Sequence, residues 1–390
     1  MQLTLSSQLS QFAHVMQQEL FPALAEEIGP ASERQKLFIA ACVMIPCQRF
    51  LSCGKRTGRP AKSRLALAHA FLAKTIYNVA HTRQLIEVLK TDEPLRKLCG
   101  FRTVGSIPHE SCFSRAFAEF AKSNFAQSAH QALIEATHAQ RLVGHIARDG
   151  SAIEAREHYP DELAAAKAVV KKKKTTKKGK KKGKSPHRRQ TAAARLEQSG
   201  SRIEKQLAGQ SLEQMLQDIP TRCDMGGKKN SKGNVNYWRG YKLHLDVADG
   251  QIPISALLTS ASVHDSQVAI PLMQITSKRV TYLYDLMDSA YDAASIHSAS
   301  RQLGHVPIID IHTRPKPKTQ LPCRVKLQPQ MCPAKRDRYK NRTMIERVFG
   351  RLKDEFGARQ IRVRGPVKVM AHLMFGVLAL TVDQLLRLNR

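Results

Sequence analysis

One segment near the C-terminus carries an acid among cations at helical spacing. Tyr339, Arg342, Glu346 and Lys353 follow one another at intervals of 3, 4 and 7 positions. At about 100° per residue, a helix would place all four side chains within roughly 60° of arc. The adjoining arcs are apolar and carry Met344, Ile345, Val348, Leu352 and Phe356. A single carboxylate flanked by an aromatic side chain and two cations suits a metal-binding acid beside groups that hold phosphate.

Two further acids follow predicted strands. Residues 144–153 predict a strand that ends at Asp149, and residues 280–287 predict an apolar strand that ends at Asp288. If these strands are neighbours, both carboxylates emerge at one end of the sheet, and a packed helix can bring Glu346 to them. Three clustered carboxylates need cations, and their oxygens select hard ions. The cluster predicts two Mg²⁺ ions, with Mn²⁺ as a substitute, for in-line phosphoryl transfer.

Ordinary structural roles remain open for each of these residues. A lone Asp at a strand end is more often a turn or cap residue than a catalytic one. Asp265, Asp285 and Asp292 compete with Asp288, and Asp265 and Asp292 also suit helix N-caps. Tyr339 suits core packing, and Arg342 with Glu346 forms the spacing of a common i,i+4 ion pair.

The charge balance predicts a polyanionic partner. The chain has 63 Lys and Arg against 32 Asp and Glu, which gives a net charge of +31. Nucleic acid is the commonest partner of so basic a chain. Residues 171–189 alone contain ten Lys and two Arg, so no core can form there. We expect a basic, disordered insertion at 155–220 that attracts the DNA backbone through Lys171, Lys172, Lys173 and Lys174.

The order of elements predicts an α/β protein with a helical N-terminal part. Apolar residues recur at helical spacing through residues 1–140, which predicts an all-helical domain. Residues 141–390 predict strand, insertion, strand, strand, helix, strand, helix, strand and helix, with a hairpin turn at Asp249-Gly250. This order gives a mixed sheet flanked by helices.

Nothing in the sequence predicts export or a membrane partner. The N-terminus lacks the basic and apolar regions of a signal peptide. The eight Cys form no CxxC pair and no compact disulfide framework. Residues 369–388 are apolar but contain His372, Asp383 and Gln384, which indicates a buried helix. We expect a cytoplasmic, nucleoid-associated protein.

These motifs together resemble the DDE-type insertion-sequence transposases, whose fold is RNase H-like. The subgroup with a Tyr–Arg–Glu–Lys signature has the spacing of Tyr339, Arg342, Glu346 and Lys353. The string from Asp288 to Asp292 resembles the family's Asp-x-(Gly/Ala)-Tyr-Asp motif, and Asp149-Gly150-Ser151 resembles its first-acid context. The strings 240–244 and 263–266 are also similar to the family's.

The resemblance implies a mechanism and partners. Asp149, Asp288 and Glu346 would be the catalytic acids that hold two Mg²⁺ ions, while Tyr339, Arg342 and Lys353 would contact DNA phosphates. The enzyme would cut at terminal inverted repeats, which the N-terminal helices help recognise, and would join the freed ends to target DNA. A homodimer is expected when two ends are joined. Trp238 is expected to pack at a strand start.

Two other functions remain open at this point. One is a non-catalytic DNA-binding protein derived from a transposase. The other is a different RNase H-like nuclease, which would cleave without strand transfer.

Overall fold

The computed structural model describes residues 31–51, 62–157, 201–229, 234–311 and 331–388. The predicted DNA-binding lysines 171–174 lie outside the described residues.

Helices make up the described N-terminal part, as the sequence predicts. The first begins at a capping box, in which Ser32 and Gln35 each bond the other's backbone N–H. Aromatic side chains pack between these helices: the ring centroid of Phe71 lies 5.0–6.2 Å from those of Phe113, Phe117 and Phe120. The helices are α1 (Glu33–Met44), α2 (Arg64–Ile76), α3 (Thr82–Thr91), α4 (Glu93–Leu98), α5 (Glu110–Lys122) and α6 (Phe125–His138).

A mixed sheet and its helices follow. The strands are β1 (Leu142–Glu154), β2 (Asp224–Lys229), β3 (Val235–Ala248), β4 (Ile252–Ser260), β5 (Thr281–Met287) and β6 (Val306–Ile309). Their order is β2-β3-β1-β5-β6, and β4 also pairs with β3. β1, β5 and β6 run parallel, whereas β3 is antiparallel to β1, β2 and β4. The predicted fold class, an α/β mixed sheet flanked by helices after a helical N-terminal region, is confirmed.

The remaining helices cover the sheet. They are α7 (Arg202–Leu207), α8 (Leu212–Asp218), α9 (Ser266–Ser277), α10 (Ala294–Gln302), α11 (Pro333–Lys340), α12 (Thr343–Asp354) and α13 (Pro366–Arg387). The predicted turn between β3 and β4 is present, with positive φ at Gly250 (78°) and Gln251 (62°). α13 is long and apolar enough to cross a bilayer, but 78% of its most apolar window is buried inside the protein, as in a core helix.

The structure differs from the sequence prediction in four places, the first of which is the unpredicted strand β2. β1 does not end at Asp149 but continues to Glu154, because β3 pairs with it as far as that residue. Two short helices, α7 and α8, lie where an irregular insertion was expected, and Met215 of α8 is buried in a cluster with α9 residues. The signature segment is two helices rather than one, because i→i−3 hydrogen bonds at Asn341, Arg342 and Met344 tighten the chain between α11 and α12.

Candidate active site

Asp149 and Asp288 lie level with each other on neighbouring parallel strands. β1 pairs with β5 in a constant register, and its last pair is Ala147 with Leu286. Asp149 lies two residues further along β1, and Asp288 lies two residues further along the chain, directly after the end of β5. β5 ends at Met287 while β1 continues, so the β5 side of β1 is left open at Asp149. Both carboxylates therefore lie at this end of the sheet, where they are partly buried.

Backbone amides fix one oxygen of each carboxylate. Asp149 Oδ1 accepts a hydrogen bond of 2.7 Å from the N–H of Gly150. Asp288 Oδ1 accepts one of 3.0 Å from the N–H of Ala290, in the single turn Ser289–Tyr291 that follows β5. The second oxygen of each side chain therefore remains for other partners.

Arg342 connects the third acid to the first. Its Nη2 lies 2.8 Å from Glu346 Oε1, and its Nη1 lies 3.5 Å from Asp149 Oδ2. Arg342 lies between α11 and α12. Helix α12 packs on β1 and β3, and its apolar face carries the buried residues Ile345, Val348 and Leu352. The apolar side of α12 thus docks the helix and holds Glu346 beside the open end of the sheet.

The other two signature residues flank this group. Lys353, nearly two turns beyond Glu346, donates a 2.7 Å hydrogen bond to Ser151 Oγ, two residues after Asp149. Tyr339 packs against the core, and burial raises the pKa of its hydroxyl to about 12. Tyr339 is therefore a neutral hydroxyl next to Arg342. The structure brings all six predicted site residues of the described part to one region.

The competing acids have other partners, although Asp265 lies close to the site, beside Gly150. Asp285 is fully buried on the opposite face of the sheet. Asp292 pairs with His297 at 3.2 Å. Asp265 lies at the N-cap position of α9 but makes no capping bond, and instead lies 3.1 Å from Lys242 Nζ.

The electrostatics of the site reflect incompletely compensated negative charge. Burial and the neighbouring charge of Asp288 raise the pKa of Asp149 to about 6, although Gly150, Arg342 and Lys228 act in the opposite direction. Burial also raises the pKa of Asp288, with a smaller contribution from Asp265. Two acids that both resist ionisation favour a cation between them.

Comparison with known proteins decides the family. Residues 144–382, more than half of the chain, match the family model of the transposase DDE domain. Residues 41–119 match a second family model, described as a transposase domain (DUF772). The chain belongs to the DDE transposases. No curated protein and no solved structure is similar enough to this transposase to count as a match.

The carboxylates of this transposase fit a divalent metal in their chemistry. Asp149, Asp288 and Glu346 offer hard oxygen ligands, the type that Mg²⁺ and Mn²⁺ prefer. Among the described residues, no three Asp, Glu, His or Cys side chains stand close enough together to hold a metal ion in the present arrangement. In this arrangement Arg342 lies between Asp149 and Glu346 and contacts both carboxylates.

Sequence reasoning missed a buried charge network directly behind the site. Arg148 is 1% exposed and lies 2.6 Å from Asp246 Oδ2 and 3.2 Å from Asp285 Oδ1. Hydroxyls of Thr276 and Ser300 each donate a 2.6 Å hydrogen bond to these carboxylates. The network ties β3, β1 and β5 together beside Asp149. The sequence did contain one indication of this network. Arg148 and Asp149 are consecutive in a strand, so their side chains project to opposite faces, and a charged side chain on the buried face needs partners in the protein interior.

The close packing around position 150 explains why a glycine follows Asp149. A Cβ at this position would lie 2.6 Å from Asp265 Oδ1 and 2.9 Å from His244 Nδ1. His244 is fully buried and bonds Thr259 Oγ1 at 3.0 Å, so its ring has little freedom to move. The three strings that resembled the family separately, around residues 150, 244 and 265, therefore meet at one point of the structure.

Proposed function

We propose that this transposase hydrolyses DNA at the ends of its element and joins the freed 3′-hydroxyls to target DNA. The observation that carries the proposal is the alignment of Asp149 with Asp288, together with the bridge that Arg342 makes from Asp149 to Glu346. Acids held at the open end of a sheet and flanked by Arg342 and Lys353 suit phosphoryl transfer on a polyanion. Two copies of the chain would act when two ends are joined, in the cytoplasm at the nucleoid.

In this proposal, each residue acts on the phosphate or on the acids. Asp149, Asp288 and Glu346 would hold two Mg²⁺ ions, which supply charge for activating water or a 3′-hydroxyl and for stabilising the leaving oxygen. Arg342 and Lys353 bind phosphate oxygens, and Tyr339 donates its hydroxyl. When DNA enters, Arg342 exchanges Glu346 for a phosphate oxygen. Glu346 is thereby released toward Asp149 and Asp288.

The test is cleavage of a DNA fragment that carries the gene's own flanking sequences, with Mg²⁺. Asp149→Asn, Asp288→Asn and Glu346→Gln are each expected to lose cleavage by more than the roughly 10- to 100-fold typical of an outer-shell partner. DNA binding should not weaken, because these substitutions remove negative charge that would repel DNA phosphates. Asp337→Asn serves as the control, since this exposed acid of α11 pairs only with Lys340 among the contacts described for it.

Three outcomes separate the candidate functions. Nicks at the ends with joined products, lost in all three variants, support transposition. Cleavage without joined products would favour another RNase H-like nuclease. Salt-sensitive binding with no cleavage in Mg²⁺ or Mn²⁺ would favour a DNA-binding protein without catalysis.

A further inference from the structure

A two-stranded ribbon extends beyond the sheet next to the site. β2 pairs with β3 from Asp224–Gly240 to Lys229–Val235. The pairing of β1 with β3 stops at Gly240, and that of β4 starts at Tyr241. In the described part of the chain, the strand pairing of residues 235–239 is with β2, and Ala155 adds a hydrogen bond to the carbonyl of Arg239. We call residues 224–229 and 235–239 the ribbon.

The ribbon is built from two glycines that face two aromatic residues. Trp238 lies opposite Gly226, where a Cβ would come 2.5 Å from the indole, and its Nε1 bonds the carbonyl of Tyr241 at 3.0 Å. Trp238 therefore packs within the protein, as predicted. Tyr237 lies opposite Gly227, where a Cβ would come 3.1 Å from the phenol ring, yet Tyr237 is 71% exposed. One side of its ring rests on glycine and the rest is open to a partner.

Lys228 lies on the other face of the ribbon from Tyr237. It is exposed and pairs across the ribbon with Asn236, whereas Tyr237 pairs with Gly227. Side chains alternate between faces along a strand, so the two residues project to opposite sides. The ribbon starts where β1 ends at Glu154. The charge of Lys228 acts on Asp149 and Asp288, where it partly opposes the rise in pKa that burial causes.

Charge identifies the partner. Lys228 and Arg239 stand in the ribbon against one acid, Asp224, which already accepts hydrogen bonds from Ser262. A second copy of a chain with net charge +31 would be repelled by this surface. A duplex presents phosphates, and its major groove admits a two-stranded β-ribbon.

We propose that the ribbon binds the DNA that flanks the cleavage site, with Lys228 on a backbone phosphate and the open side of the Tyr237 ring packed on the DNA. The proposal rests on the proposed function, since it assumes that the scissile phosphate lies at Asp149 and Asp288. It adds a contact surface that the signature helix does not provide.

The test measures binding by fluorescence anisotropy over a series of salt concentrations, without divalent metal so that the DNA stays intact. The probe is the labelled flanking DNA with the full chain. Lys228→Ala is expected to weaken binding and to reduce the slope of log K against log[salt] by about 0.9, the loss of one phosphate contact. Lys278→Ala is the matched control, because this exposed lysine lies next to the start of β5, at the other end of that strand from Asp288.

A second pair of variants tests the ring. Tyr237→Ala is expected to weaken binding about tenfold, whereas Tyr237→Phe keeps the ring and should bind as the natural protein does. Thermal unfolding of both variants shows whether the loss of the ring has loosened the ribbon.

Each outcome bears on one proposal or the other. If Lys228→Ala keeps the natural salt slope, or changes it no more than Lys278→Ala, the ribbon proposal is wrong even when the natural protein cleaves. Equal binding by Tyr237→Ala and Tyr237→Phe would show that the Tyr237 ring does not contact the DNA. If the expected effects appear but the natural protein never cleaves, the ribbon proposal stands and the proposed catalysis fails.

Discussion

Arg148 and Asp149 are neighbours in one strand, yet the two faces of β1 use charge in opposite ways. Behind the strand, Arg148 is enclosed by Asp246 and Asp285, and each carboxylate also accepts a hydrogen bond from a hydroxyl group. Asp246 Oδ1 and Arg148 Nε have no hydrogen-bond partner among the described residues. In front, Asp149 has one guanidinium at 3.5 Å, and the Glu346 side chain is 57% exposed. The rear group is closed to solvent, whereas the front group is not.

The difference separates a structural role from a functional one among the same residue types. A buried ion pair that is closed to solvent cannot contact a substrate, but it fixes the strands that carry it. The front group leaves carboxylate oxygens uncommitted and cations able to change partners. Access from solvent, rather than the presence of acids, distinguishes the site from its support.

The largest expected effect comes from opening the rear group. Arg148→Met leaves Asp246 and Asp285 buried without a cation, so the free energy of unfolding should fall by about 3–5 kcal/mol in urea denaturation. Adding Asp246→Asn and Asp285→Asn to the same chain should recover part of that loss. A single variant as stable as the natural protein would show that the rear group does not hold the strands.

A smaller effect is expected where the two faces meet, at Gly150. Gly150→Ala pushes a methyl group against Asp265 and the fixed ring of His244, so stability should fall by about 1–3 kcal/mol. Cleavage should fall as well, because Asp149 is the preceding residue. Gly350→Ala is the matched control, since a Cβ in this part of α12 meets nothing within 4 Å and should stabilise the helix by about 0.5–1 kcal/mol. Equal stability of the two variants would contradict the close fit.

The smallest effect on stability is expected at the front. Arg342→Met should change the free energy of unfolding by less than about 1 kcal/mol, because its ion pair with Glu346 is open to solvent. Cleavage should nevertheless drop by about 100-fold, as for loss of one preorganised donor to a developing charge. Arg342→Lys keeps the charge and should recover part of the activity. A large loss of stability in Arg342→Met would mean that front and rear do not differ as described.

The sequence was informative wherever periodicity and motif coincided. The strand before Asp288, helices α9 and α10, and the apolar face of α12 follow directly from apolar spacing. β2 could not be read, because Asp224-Met225-Gly226-Gly227-Lys228-Lys229 has little strand propensity and is held by its partner β3. The Arg148 network depends on the lateral register of three strands, which one sequence does not specify. The catalytic roles of Asp149, Asp288 and Glu346 stay predictions until cleavage is measured.

Helix α13 joins the two parts of the molecule into one body. It packs against α1, α2, α5 and α6 on one side and against α12 and β4 on another, within a single continuous core. Because the described N-terminal helices share this core with the sheet, we expect the two parts to move together. A DNA sequence held by the N-terminal helices would be kept at a set distance from Asp149 and Asp288. The position of the cut would then be set by its distance from the bound sequence. Base pairs inserted between the two would shift the cut, because the protein would not bend to absorb them.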